Sequence, residues 1–135
     1  MRAWQALCNL SRFVSPSIAQ RACAATFECI EETIHSQIRY FVEIFGVKCG
    51  TIHPDVFGNA FLDQIIRTDL TLQQVSSLMI MGGNWIVGSY KIPFFEPSAD
   101  NNHTRLRKVL AGAIPWLSST QGFSRAIAQL LVYSV

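Results

Sequence analysis

The chain has 135 residues, of which 50% are hydrophobic and 15% charged, and its formal net charge is +2. A domain of this size buries roughly 68–70% of its unfolded surface, enough for a real core, and its low charge with abundant Phe, Ile and Leu excludes disorder. The small, evenly spread positive charge gives no electrostatic footprint for nucleic acid, and the five Pro and eight Gly exclude collagen-like and low-complexity classes. The composition is that of one compact domain, greasy enough to suggest a buried central element or an apolar surface that needs a partner.

The four cysteines, Cys8, Cys23, Cys29 and Cys49, form no C-x-x-C pair. They read as reduced and mostly buried, which implies an intracellular, cytoplasmic protein. The apolar run Ala3 to Leu10 is interrupted by Gln5 and Asn9, so it is a poor secretory signal. Arg2, Arg12 and Arg21 precede the first acid, Glu28. Transit peptides share that composition, but the segment reads as the first helix of the domain. No run of 18 apolar residues marks a transmembrane span, and no hydrophobic tail suggests a membrane anchor.

Helical signals follow one another along the chain. Arg2 to Val14 predicts a short helix that stops at Ser15-Pro16, with Ser17 as the next N-cap. Ile18 to Phe45 predicts one long helix, since Phe27, Ile30, Ile34, Ile38, Phe41 and Phe45 recur at steps of three and four. Gly46 and Cys49-Gly50 would end it. Pro54 opens another helix through Ile66. Asp69 or Thr71 caps a fourth, in which Leu72, Val75, Leu78 and Met79 share a stripe, and Gly82-Gly83 reads as its left-handed C-cap. Asn84 then begins an apolar run that suits a buried central helix, which Pro93 must kink or end. After a polar turn at 98–102, Thr104 to Ile114 is helical, Pro115 starts a short turn, and a last helix runs from Gly122 through Ile127, Leu130 and Leu131. Period-two alternation is missing, so the fold class is an all-α bundle of about seven or eight helices in a single domain spanning the chain.

Catalytic chemistry finds little support. Neither G-x-S-x-G nor a phosphate loop occurs. Glu32 and His35 have the Glu-x-x-His spacing of carboxylate-bridged metal bundles, but no second copy accompanies them. Cys49 and His53 are four apart and lack a second pair of ligands, and Gly50 and Pro54 argue against one helix between them. His103 reads as a surface residue. No catalytic residue, metal or cofactor is expected.

Two segments carry a resemblance. Met81-Gly82-Gly83-Asn84-Trp85 follows an amphipathic helix and opens an apolar one, and Pro115-Trp116-Leu117 is followed by Gly122-Phe123 at a fixed distance. They resemble the first and second homology regions of the Bcl-2 family of apoptosis regulators. Ile38-Arg39-Tyr40 is similar to a Leu-Arg-Tyr in that family's second helix. The resemblance implies a Bcl-2-like helical bundle around a buried central helix. It also implies a protective, viral-type member that sequesters the amphipathic death helix of pro-apoptotic relatives, since no Leu-x-x-x-Gly/Ala-Asp occurs in the first 80 residues. This is a helix-in-groove mode, for which that family is a standard example.

The implied groove residues are Arg39, Tyr40, Ile44, Val75, Leu78, Met79, Asn84, Val87 and Lys91. Gly83, Trp85, Pro115, Trp116, Gly122 and Phe123 form the structural signature. The chain also departs from the family. Where members carry Gly-Arg after Asn-Trp, this sequence has Ile86-Val87, so the Arg that pairs with the ligand's Asp is missing, and Lys91 or Arg39 would have to replace it. That loss implies a narrow set of partners. An empty apolar groove also predicts a homodimer that covers it. Two rival readings are a membrane-active helical protein at mitochondria, addressed by the basic N-terminus, and a metal-dependent enzyme on Glu28, Glu32 and His35.

Overall fold

The computed structural model describes residues 2–32, 35–88, 93–118 and, further on, residues 122, 125, 126, 128, 129 and 132. Six α-helices are present among these residues: α1 (Arg2–Leu10), α2 (Pro16–Glu31), α3 (Ser36–Ile52), α4 (Pro54–Ile65), α5 (Leu72–Gly88) and α6 (Thr104–Ala113). Short 3₁₀ turns cover Pro93–Phe95, Asn101–His103 and Ile114–Ser118, and no strand occurs among the described residues. The all-helical class follows from the period of the apolar positions. Lys91, Phe123, Ile127, Leu130 and Leu131 lie outside the described residues.

The starts of the helices have local causes. Pro16 occupies the first turn of α2, where its missing N–H costs nothing. Ser15 caps that helix, its Oγ accepting from the Ile18 N–H at 3.4 Å. This corrects the expectation for Ser17, whose hydroxyl instead meets Ser15 at 3.1 Å. At α5, Thr71 and Gln74 form a reciprocal capping box: Thr71 Oγ1 accepts from the Gln74 N–H at 3.2 Å, and Gln74 Oε1 accepts from the Thr71 N–H at 2.7 Å. Ahead of α6, both Asp100 carboxylate oxygens accept backbone N–H bonds, from Arg105 at 2.8 Å and Leu106 at 3.2 Å. Two consecutive non-glycine residues with positive φ, Asn102 and His103, turn the chain there.

Several expected boundaries are wrong. The stretch from Ile18 to Phe45 is two helices, because Glu32 and His35 both adopt extended backbone. His35 caps α3, Nδ1 accepting from the Gln37 N–H at 3.3 Å. The apolar period runs through the break because both helices face one core. Gly46 and Gly50 then fail to end α3, which continues to Ile52 and meets α4 through the single residue His53. Gly82-Gly83 is likewise no C-cap. No described glycine has positive φ, and α5 is one continuous helix through Asn84, so no separate central helix begins there.

The glycines serve close approach instead. A methyl group on Gly50 would lie 2.7 Å from Phe57 Cδ1 and 2.8 Å from Trp85 Cδ1, and one on Gly58 would lie 2.6 Å from Phe94 Cζ. Gly46 faces Met81 and Gly82 faces Phe61 in the same manner. These notches admit an aromatic cluster in which Trp85, 1% exposed, sits edge-on to Phe57 at 4.9 Å and Phe61 at 6.0 Å, with Phe94 at 5.7 Å. α3 packs against α1, α2, α4 and α5, and the core extends along it through Val42, Phe45 and Cys49.

Candidate binding groove

On the solvent side of the α3–α5 pair lies a depression of about 420 Å³, lined by Tyr40, Glu43, Ile44, Val47, Lys48, Ile80 and Asn84. Its volume falls within the range of pockets that hold small ligands or a few anchoring side chains. The spacing of its walls is helical: Tyr40, Ile44 and Val47 stand at steps of four and three on α3, and Ile80 and Asn84 four apart on α5. This outward stripe is distinct from the inward one of Val42, Phe45 and Cys49.

The polar groups of the depression are mostly engaged, by side chains outside its lining or by backbone carbonyls. Glu43 is 8% exposed, accepts from the Ser77 hydroxyl at 2.8 Å and sits 3.6 Å from Arg39 Nε. Burial raises its carboxyl above the ordinary carboxylate range, against the opposing pull of Ser77 and Arg39. Lys48 donates from Nζ to the Cys8 carbonyl at 3.0 Å, tying α3 to the last turn of α1. An ammonium has three protons to give, so that bond leaves donor capacity at the depression. Asn84 donates from Nδ2 to the Ile80 carbonyl at 2.8 Å, one turn back in its own helix, and caps nothing. Tyr40 is 59% exposed, a large aromatic ring offered to solvent.

Of the residues expected to form a groove, the structure brings Tyr40, Ile44 and Asn84 together. Val75, Leu78 and Met79 are sealed inside, each at most 1% exposed, which corrects their placement on a groove wall. A groove wall and a core stripe share the same helical period, and here the core claims it. Arg39 is held in its ion pair with Glu43 and stands apart from the lining. Val87 is exposed and also outside the lining. Gly83 and Trp85 are buried, Trp116 is half-buried, and Pro115 and Gly122 are exposed. Pro115 and Trp116 border a smaller cleft of about 260 Å³ with Ile65 and Gly112. Sequence reasoning missed Glu43, Val47, Lys48 and Ile80, although Val47 and Ile80 continue the helical steps from Ile44 and to Asn84.

The metal reading loses its geometry. Glu32 and His35 flank the break between α2 and α3 rather than sharing a helix face, and no group of three His, Cys, Asp or Glu suited to a metal ion occurs among the described residues. Cys49 and His53, by contrast, are joined by helix after all, the His53 N–H donating to the Cys49 carbonyl at 2.7 Å. All four cysteines are free thiols, with Cys8, Cys23 and Cys49 buried. No described helix is long and apolar enough to cross a membrane. Comparison with family models, with characterised proteins and with solved structures finds no match.

Proposed function

We propose that the chain is a Bcl-2-like inhibitor of apoptosis that sequesters the amphipathic helix of a pro-apoptotic partner across the α3–α5 depression. The observation that carries this reading is the convergence of Tyr40 and Asn84, drawn from two separate segments of the resemblance, with Ile44 on one apolar depression. Trp85 buried at the centre of the aromatic cluster supports it as well. An incoming helix would insert apolar residues at steps of three and four between Tyr40, Ile44, Val47 and Ile80.

The structure changes which residue would answer the ligand's carboxylate. Arg39 is already paired with Glu43, whereas Lys48 lines the depression. Lys48 is therefore the proposed counter-cation. A lysine is a point charge that cannot grip a carboxylate with the two-pronged geometry of an arginine. Affinity then leans on apolar fit, where about four anchors contribute roughly 1.5–3 kcal/mol each against an association cost of about 4 kcal/mol or more. The margin favours few partners.

Calorimetric titration with helix-forming peptides from pro-apoptotic proteins tests this, using the chain and its Tyr40→Ala and Lys48→Ala variants. Submicromolar binding is expected for one or a few peptides. Tyr40→Ala should weaken it about tenfold or more while changing stability by less than about 0.5 kcal/mol, as exposed positions do. Changing the peptide's Asp to Ala should matter in the parent and not in Lys48→Ala. Equal affinity across all peptides, or none from a folded helical monomer, overturns the reading. A homodimer that peptide dissolves would identify a second copy as the competing occupant of the depression.

A further inference from the structure

The corner where α1 hands over to α2 offers apolar side chains to solvent instead of burying them. Leu10 ends α1 at 53% exposure, Phe13 in the turn is 83% exposed, and Ile18 in the first turn of α2 is 49% exposed. The turn is a defined one. The Phe13 N–H donates to the Leu10 carbonyl at 2.8 Å, the buried Ser11 donates from its hydroxyl to the Cys8 carbonyl at 3.1 Å, and Ser15 caps α2. Ser11, Ala19 and Ala22 take the inward positions of this segment, which leaves Phe13, Ile18 and Arg21 outside. A ring as exposed as Phe13 rests against almost nothing, so the corner is a convex apolar tip.

The charge of this corner has one sign. Arg12 and Arg21 are exposed beside the apolar residues, and no Asp or Glu occurs before Glu28. Arg21 stands three residues beyond Ile18, on the same face of α2. Among the described residues neither arginine forms an ion pair. Asp55 and Asp63 of α4 line a cleft on the Gln20 side of α2 and pair with neither. The basic cluster of α6 is built differently. There Arg105 is engaged by the Phe94 ring and carbonyl, and Leu106, Val109 and Leu110 are buried or half-buried.

We propose that the α1–α2 corner is a peripheral docking surface for an anionic lipid bilayer. Leu10, Phe13 and Ile18 enter the boundary between headgroups and acyl chains, and Arg12 and Arg21 meet the lipid phosphates. Binding in this mode grows with the apolar area inserted and with the attraction to anionic lipid, and the corner supplies both. A bilayer deforms around a convex tip, whereas an acidic protein would have to present a groove of matching shape. Arginine suits the position because its stem lies along apolar surface while its guanidinium stays at headgroup level. No described helix is long and apolar enough to cross the bilayer, and docking of this kind needs none. The inference does not depend on what binds the α3–α5 depression.

The test is flotation of the full chain with vesicles of phosphatidylcholine alone and with vesicles containing about one-third phosphatidylserine. The chain should bind the anionic vesicles about tenfold or more tightly than the neutral ones, and less tightly as salt rises. Phe13→Ser should weaken that binding about tenfold or more, and Arg12→Gln/Arg21→Gln about twentyfold. Arg107→Gln/Lys108→Gln on α6 removes the same charge away from the corner and should change it less than about threefold. All these positions are exposed, so circular dichroism should show each variant folded. Equal binding to the two vesicle types, Phe13→Ser floating like the parent, or the α6 variant losing as much as the corner variant overturns the proposal. Release from the vesicles by excess inorganic phosphate at constant ionic strength overturns it too, because the site would then be one for a soluble anion. The parent's comparison of the two vesicle types decides the matter even where a variant fails to fold.

Discussion

The two sides of the α3–α5 pair are built from neighbouring positions yet behave as opposites. On the inner side Gly50 on α3 and Gly82 on α5 let Phe57, Phe61 and Trp85 press onto bare backbone, and no space remains. On the outer side, one residue over, Tyr40, Ile44 and Val47 face Ile80 and Asn84 across a depression left open. Removal of side chains closes one face, and addition of side chains leaves the other unfilled. The difference shows that helix separation is set by the tighter face, since rigid elements cannot close both at once. The looser face inherits whatever gap remains.

Trp85→Ala breaks the tight side most severely. It deletes the ring that Phe57, Phe61, Phe94 and Phe95 all meet, so chemical denaturation should report a loss of about 3–5 kcal/mol. A loss below about 1 kcal/mol would mean that the aromatic cluster does not set the spacing. Gly50→Ala comes next. Its methyl would meet Phe57 and Trp85 inside 3 Å, and overpacking of that kind costs about 1–3 kcal/mol despite alanine's better helix propensity. Neutral or improved stability would show that the rings can retreat.

Glu43 gives the smallest effect and tests the border between the two sides. Its folded carboxyl is raised from its ordinary value of 4.5 by burial, so the folded state favours the protonated form. That contribution to stability is present below the ordinary value and is lost as pH rises through the raised one. Denaturation midpoints from about pH 4 to about pH 7 should therefore contain a downward component that Glu43→Gln lacks. Parallel profiles for the two proteins would mean that Ser77 and Arg39 compensate the buried carboxylate fully.

How much of this was legible in the sequence depended on whether a signal was local. Pro54, Thr71 and Thr104 mark helix starts through backbone chemistry that needs no tertiary partner, and those starts were readable, whereas Pro16 was read as a stop although it opens α2. Glycine was misread at Gly46, Gly50, Gly82 and Gly83. Its use at a helix end and its use under an aromatic ring look the same in one dimension. The break at Glu32–His35 was hidden because the apolar period continues across it. Tyr40 and Asn84 were found from the segments that carry the resemblance, whereas Val75, Leu78 and Met79 were assigned to the wrong surface because an inward stripe and a groove wall share one period. Glu43 and Lys48 owe their positions to Ser77 and to the Cys8 carbonyl, 34 and 40 residues away in the chain. No local pattern encodes those pairings.

The glycine notches also constrain how this chain can change over time. Because a methyl group on Gly50 would touch Phe57 and Trp85 alike, positions 50, 57 and 85 are not free to vary one by one. Drift at the notch becomes permissible only after one of the rings has shrunk, and a smaller ring leaves a void until the notch fills. Substitutions here should arise as compensated sets in a fixed order, whereas the rim around Tyr40 can diversify singly, one partner at a time.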